Sequence, residues 1–321
     1  MKAIRFHSYG GPDVLQLDEI PMPTAKPGES LVRVVAAGVN YLDVYQRTGL
    51  YPNALPFGPG SEGVGVVEIG SATFKAGTRV AWAQNVGSYA QFAAIPDWKL
   101  IPVPDAIDDR TAAAVLLQGI TAQLLCETTY AAKAGDIALV HAGAGGVGLL
   151  LIQLLKSKGV SVLTTVSTPV KAALAKEAGA DDAILYTETD FAAAVNAATG
   201  GKGVHVVYDS VGKTTWAGSL SVLRPLGTLA LFGQSSGAVP PIDPLALTKQ
   251  GSVFLARPSI VHHIADADSL HQRANKVLNW VRDGKLKLRI EHGYPLADVA
   301  QAHRDLEARK TTGKLVIDVA V

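Results

Sequence analysis

Hydrophobic and polar residues change their period along the chain, and the changes mark out its plan. Over residues 1–118, short alternating runs recur at 14–20, 31–37, 63–69, 79–83 and 88–95, divided by Pro and Gly. Alternation at a period of two puts one face of each strand in a core, so this region predicts an irregular antiparallel barrel. A short helix is expected over 40–48, then a loop, LYPNALPFGPGSE, suited to lining a cleft. Residues 108–133 carry helical spacing with a break expected near Gly119. From residue 137 the runs become continuously apolar, at 137–141, 160–166, 183–186, 204–208 and 228–232. Helical patterns at 169–178, 190–199 and 213–223 separate them. Strands buried on both faces and joined by helices predict a doubly wound parallel α/β sheet with right-handed crossovers.

Beyond that sheet, FGQSSGAVPPIDP reads as a loop and 253–257 as a sixth strand. A helix over 266–283, a strand over 286–290, a helix over 296–309 and a closing strand over 314–319 follow. This last portion is expected to return to the barrel, so that residues 1–118 and 257–321 form one discontinuous domain and 119–256 the parallel-sheet domain. A nucleotide would then occupy the cleft between the two.

The nucleotide is suggested by IALVHAGAGGVGLLLIQLLK, residues 137–156. Gly143, Gly145 and Gly148 satisfy G-x-G-x-x-G between an apolar strand and an apolar helix, the context that motif requires. The first glycine permits the turn, the second lets backbone approach a pyrophosphate, and the third lets helix pack on strand. A helix starting near Gly146 aims the N–H groups of Gly146, Val147 and Gly148 at the anion.

Composition narrows the partners. Against 29 Lys and Arg stand 28 Asp and Glu, a formal charge of +1, and no run of like charges occurs. Electrostatic binding to RNA or to an acidic membrane is therefore disfavoured. With Cys126 as the one cysteine, neither a disulfide within the chain nor a Cys-rich zinc site is possible. Residues 137–155 are uncharged over nearly a membrane span, but the glycines and the flanking Asp136 and Lys156 fit a buried strand–turn–helix better. The N-terminus has no signal-peptide core, and a cytoplasmic location is expected.

An NAD site carries an acidic residue about 20 positions beyond the glycines. Here no Asp or Glu lies between Gly148 and Glu177; Ser167 and Thr168 stand in its place, followed by Pro169 and Lys171. A cation in the first turn of a helix opposes the macrodipole, which favours a bound anion there. The 2′-phosphate of NADPH is such an anion, and Lys171 as a solvated surface lysine is the alternative.

The stretch Gly135-Asp136, Leu139, Gly143-Ala144-Gly145-Gly146-Val147-Gly148, Gln153 and Lys156, with GVNYLDVYQRTGLYP, VVYDSVG, LFGQSSGAV and ARPS, resembles the medium-chain dehydrogenase/reductase superfamily over essentially the whole chain. The match is to its zinc-independent quinone oxidoreductase branch, and the chain looks most like bacterial NADPH:quinone reductases and ζ-crystallins. The resemblance implies a GroES-like barrel with a Rossmann domain, hydride transfer from a nicotinamide to a quinone or related conjugated carbonyl, and a homodimer. Zinc-dependent relatives carry Cys and His where this chain has Asn40 and Ser61, so no metal is expected. By family position, Asn40 and Tyr45 lie near the nicotinamide and the acceptor. Thr121 and Ser210 contact phosphate or ribose, Tyr186 lies by the 2′-phosphate, and Phe232, Gly233, Ser235, Arg257 and Lys314 close around the nicotinamide. Asn40, Tyr45 and Arg257 are the candidate donors to the acceptor's oxygen. They are also readable as a helix cap, a core aromatic and a salt-bridge partner. The rival activities are reduction of the double bond of an enal, enone or enoyl thioester, or NADPH binding without turnover, as in crystallin-type members.

Overall fold

A computed structural model describes residues 1–319. The chain divides into two compact units, Met1–Ile120 with His263–Val321, and Thr121–His262.

In the first unit the strands are β1 (Lys2–Arg5), β2 (Gln16–Glu19), β3 (Glu29–Val39), β4 (Glu62–Ile69), β5 (Arg79–Ala83), β6 (Phe92–Pro96) and β7 (Ile101–Pro102). Helices α1 (Tyr41–Arg47) and α2 (Asp109–Leu124) follow β3 and β7. In the second unit β8 (Ile137–His141), α3 (Gly146–Ser157), β9 (Ser161–Val166), α4 (Pro169–Glu177), β10 (Asp182–Leu185) and α5 (Phe191–Ala198) come first. They lead to β11 (Val204–Asp209), α6 (Trp216–Ser221), β12 (Leu223–Leu231), α7 (Pro244–Lys249) and β13 (Phe254–Ala256). The chain then re-enters the first unit with α8 (Ala267–Arg282), β14 (Ile290–Pro295), α9 (Val299–Glu307) and β15 (Lys314–Asp318).

The long strand β3 organises the first unit. It pairs antiparallel with β15, β4 and β6, and register shifts near Leu31 and Val34 bend it so that it serves all three. Its inward side chains, Val32, Val34, Ala37 and Val39, join Phe6, Trp82, Tyr89, Ile95, Leu100, Leu315 and Ile317 in one core. In the second unit the strands lie in the order β10-β9-β8-β11-β12-β13, every neighbouring pair parallel. The chain winds outward from β8 in one direction and from β11 in the other. The β8/β11 junction is therefore the topological switch point, where a ligand can reach the carboxyl ends of the strands.

Several elements differ from expectation, each for a local reason. Residues 12–14 form a 3₁₀ turn begun by Pro12, which confines the strand expected over 14–20 to β2. Residues 88 and 89 bond to the carbonyls of Gly60 and Pro59, so the strand expected over 88–95 starts only at Phe92. The strand expected over 286–290 lies further on, as β14, because Leu286 N–H bonds back to Trp280 and closes α8. After the loop residues 232–243, Asp243 caps the short helix α7, which the Pro-rich spacing concealed. The helix expected over 213–223 shrinks to Trp216–Ser221, and β12 starts at Leu223.

Gly119 does not break its helix. α2 runs through it to Leu124 and then widens into a π turn over Leu125–Thr129. A Cβ on Gly119 would lie 2.5 Å from Val277 Cγ1 of α8, so the glycine serves close packing between helices. Helix propensity alone would make Gly119→Ala stabilising by about 1 kcal/mol. Overpacking against Val277 costs about 1–3 kcal/mol, so the variant should unfold at a lower temperature than its parent in a thermal melt. A raised melting temperature would contradict this packing.

Candidate functional site

At the switch point, β8 ends in His141, and Ala142 turns the chain with a φ of 55°. A Cβ on Gly143 would overlap the Thr164 hydroxyl, and one on Gly148 would overlap the Ala142 carbonyl. Glycine at 143 lets the turn lie against β9, and glycine at 148 lets the start of α3 close down on that turn. Gly145 is the N-cap of α3, and Leu149 N–H to Gly145 C=O at 2.9 Å is the first bond of the helical ladder. The N–H groups of Gly146, Val147 and Gly148 precede that ladder, and no side chain caps the helix. This is the geometry of an anion cradle, and it fits a dinucleotide pyrophosphate.

At the end of β9, Thr168 caps α4, its hydroxyl accepting the Lys171 N–H at 3.3 Å, and Pro169 opens the helix. Lys171 thus lies in the first turn with a half-buried side chain, as expected from its spacing. The Thr187 hydroxyl bonds the Ser167 carbonyl at 3.2 Å, and Tyr186 N–H bonds the Val166 carbonyl, so the ends of β9 and β10 bring Ser167 and Tyr186 to one edge. At the ends of β11 and β12, Ser235 N–H bonds the Ser210 carbonyl at 3.2 Å. A Cβ on Gly233 would lie 2.5 Å from that same carbonyl. Arg257 donates to the Leu231 carbonyl at 2.8 Å, which holds the residues after β13 against the end of β12. Thr121, on α2, is half-buried.

The first unit gathers the other expected residues around α1. Asn40 is its N-cap, and Asp43 reaches back to accept the Asn40 N–H at 2.9 Å. The Asn40 amide gives its protons to Glu62 at 2.9 Å and to the Gly38 carbonyl at 3.3 Å, while its oxygen accepts the Lys314 ammonium at 2.7 Å. Lys314 also forms an ion pair with Glu62, and the two side chains are only 2% and 1% exposed. The second Glu62 oxygen accepts the Leu117 N–H. Asn40 therefore orders the start of α1, its amide protons already committed inside the protein, and Lys314 is an internal counter-ion. Ser61 donates to Asp43 at 2.8 Å. Among the described residues no group of three or more His, Cys, Asp or Glu side chains is arranged to hold a metal ion. Tyr45 packs between Tyr41 and Tyr51, tilted to the first and edge-on to the second, with ring centroids 5.8 and 5.4 Å away.

Sequence reasoning missed the buried titratable groups beneath α1. Asp43 accepts from Tyr89, Ser61 and Asn40; burial pushes it up to about 6 against those hydrogen bonds. Burial, then the nearby Arg47 guanidinium, holds His303 down to about 3. Arg47 is itself buried and paired with Glu307 at 2.7 Å. These partners lie up to 260 residues apart, and no local spacing marks them.

Residues 26–105 match the alcohol dehydrogenase GroES-like domain, and residues 178–317 the zinc-binding dehydrogenase family. A quinone oxidoreductase of Pseudomonas aeruginosa is 41% identical over 98% of this chain and 99% of its own. The chain belongs to the quinone oxidoreductase family of medium-chain dehydrogenases/reductases. The crystal structure of Escherichia coli quinone oxidoreductase complexed with NADPH matches with a TM-score of 0.97 at 38% identity, covering 99% of this chain and 100% of that one. A 2-haloacrylate reductase from Burkholderia is 38% identical over 97% of each chain. The two units are thus a GroES-like domain and a Rossmann domain.

Because His303 is depressed from its ordinary 6.5, the unfolded chain takes up a proton that the folded one refuses as pH falls below 6.5. Its contribution to stability is complete above 6.5 and is lost toward pH 3; Asp43, raised, acts in the opposite sense between 3.8 and about 6. His303→Phe removes only the first effect. Denaturant melts should show the variant gaining about 1 kcal/mol on its parent between pH 7 and pH 5.5, and a pH-independent difference would refute this.

Proposed function

We propose that this chain binds NADPH on its Rossmann unit and passes a hydride to a quinone or a related conjugated carbonyl. One observation carries the reading: a glycine turn at the switch point, with Lys171 rather than an acid at the end of β9, in a chain whose family relative binds NADPH. The residues fit the cofactor. Gly146, Val147 and Gly148, with Gly143 and Gly145 making room, would hold the pyrophosphate. Ser167, Lys171 and Tyr186 would hold the 2′-phosphate. Thr121, Ser210, Phe232, Gly233, Ser235 and Arg257 would hold the ribose and nicotinamide half. Bound NADPH supplies the hydride.

On the acceptor side, a quinone spreads developing charge over a conjugated ring and needs little electrophilic help, so a hydrogen-bond donor suffices. Tyr45, in its aromatic ladder, is the proposed donor; Asn40 and Lys314 keep the start of α1 in place. Asn40 and Ser61, at the positions of the zinc ligands in zinc-dependent relatives, face inward to Lys314 and Asp43. Reduction of an activated double bond is the second reading, favoured by the 38% identical 2-haloacrylate reductase.

A homodimer and a cytoplasmic location belong to the same proposal. No helix of the described residues is long and apolar enough to cross a membrane. β13 is the edge of the parallel sheet, and its Phe254 and Leu255 are 59% and 37% exposed, an apolar edge that a second copy would cover.

Lys171→Ala should weaken NADPH by about ten- to a hundredfold, the worth of one charge-assisted contact, and leave NADH nearly unchanged. Equal weakening of both in calorimetric titrations would overturn the assignment. Light scattering should give twice the 33.5 kDa chain mass, and a concentration-independent monomer would refute the dimer.

A further inference from the structure

One chain of buried side-chain hydrogen bonds joins three strand ends of the parallel sheet, and backbone bonds extend it to a fourth. Asp209, the last residue of β11, is fully buried. Its carboxylate accepts the N–H groups of Val211 and Gly212 at 2.8 and 3.0 Å, and the hydroxyls of Thr215 and Ser219 at 2.7 and 2.8 Å. Its backbone carbonyl accepts the N–H groups of Phe232 and Gly233 at 2.9 and 3.3 Å. Surrounded by donors, Asp209 acts only as an acceptor, and that sets the direction of everything attached to it.

Ser219 has one hydroxyl proton, and Asp209 takes it. Toward His141 Nε2, 2.9 Å away, Ser219 therefore presents a lone pair, and Nε2 must carry the proton. Burial lowers the His141 pKa, opposed by the charge of Asp209. The ring is neutral near pH 7, so Nδ1 is bare and accepts the Thr165 hydroxyl at 2.8 Å. Phe191 packs perpendicular to the imidazole at 4.8 Å and fixes its plane. The bonds run one way, from Thr165 to His141 to Ser219 to Asp209.

Each strand end on this path leads into a residue assigned above to the cofactor. His141 closes β8 two residues before Gly143. The Thr165 carbonyl accepts the Gly143 N–H at 3.1 Å, and Ser167 follows two residues later. Asp209 precedes Ser210, and Phe232 and Gly233 hang on its carbonyl. We infer that His141 is a positioning residue for NADPH: as the Nε2–H tautomer it braces the ends of β8, β9 and β11, and through Asp209 that of β12, at the spacing the nucleotide needs. This rests on the NADPH reading of the site. Imidazole suits the task because it is a rigid spacer with a donor at one end and an acceptor at the other.

Nitrogen-15 NMR of the histidine-labelled protein without nucleotide, with His141 assigned through the missing signal of His141→Gln, should show a single neutral Nε2–H tautomer near pH 7. Ser219→Ala should release that tautomer into a mixture. In calorimetric titrations Ser219→Ala and His141→Leu should bind NADPH about tenfold more weakly, with the KM for the acceptor unchanged. His141→Gln, which keeps an N–H for Ser219, should recover most of the affinity. Should His141→Leu fail to fold, the wild-type tautomer and the Ser219→Ala titration still decide. An Nδ1–H tautomer in the wild type, or a folded Ser219→Ala that binds NADPH like its parent, would overturn the inference. A wild-type protein that binds no NADPH would instead overturn the NADPH reading, leaving the tautomer result to stand by itself.

Discussion

The close approach of α3 to the turn after β8, and of that turn to β9, is the constraint on which the rest depends. It requires Gly143 and Gly148, where any Cβ would strike Thr164 or the Ala142 carbonyl. Only with the helix that close do the N–H groups of its first turn open at the carboxyl edge of the sheet, where the connections from β8 and β11 run in opposite directions. A helix start without a side-chain cap is a local cost in stability, and a bound anion offsets it. The same turn thus accounts for the packing of the Rossmann unit and for its affinity for a phosphate.

The GroES-like unit solves a different problem with the same kind of physics. It buries Lys314 and Glu62 together, where the loss of one partner would leave a charge unmatched at a cost of about 3–5 kcal/mol, and it pairs the buried Arg47 with the part-exposed Glu307. Such pairs hold geometry more than they add stability. Through Asn40 and Asp43 they fix where α1 begins, and α1 sets Tyr41 and Tyr45 in the ring ladder with Tyr51. An acceptor that needs little activation is consistent with a site whose strongest charges are spent inside the protein.

How much of this was legible depended on how local the signal was. The parallel strands and the glycine turn were readable because a continuous apolar run and a G-x-G-x-x-G spacing are local patterns. The place of Lys171 in the first turn of α4 was readable because Pro169, two residues before it, marks a helix start. Gly119 was misread, since its reason is Val277, far along the chain on another helix. The Lys314–Asn40 contact spans 274 residues, and His141–Ser219 spans 78. A sequence shows such residues as ordinary polar letters, and only the fold brings them together.

The central claim is that the Rossmann unit holds NADPH for delivery of hydride to a conjugated acceptor without metal assistance. Steady-state oxidation of NADPH by the purified, chelator-treated protein, run against quinones, enones and simple ketones and repeated with NADH, tests it most directly. The account predicts turnover of quinones, weaker turnover of enones, none of unactivated ketones, and a strong preference for NADPH. Efficient reduction of a simple ketone, or equal rates with NADH, would contradict it.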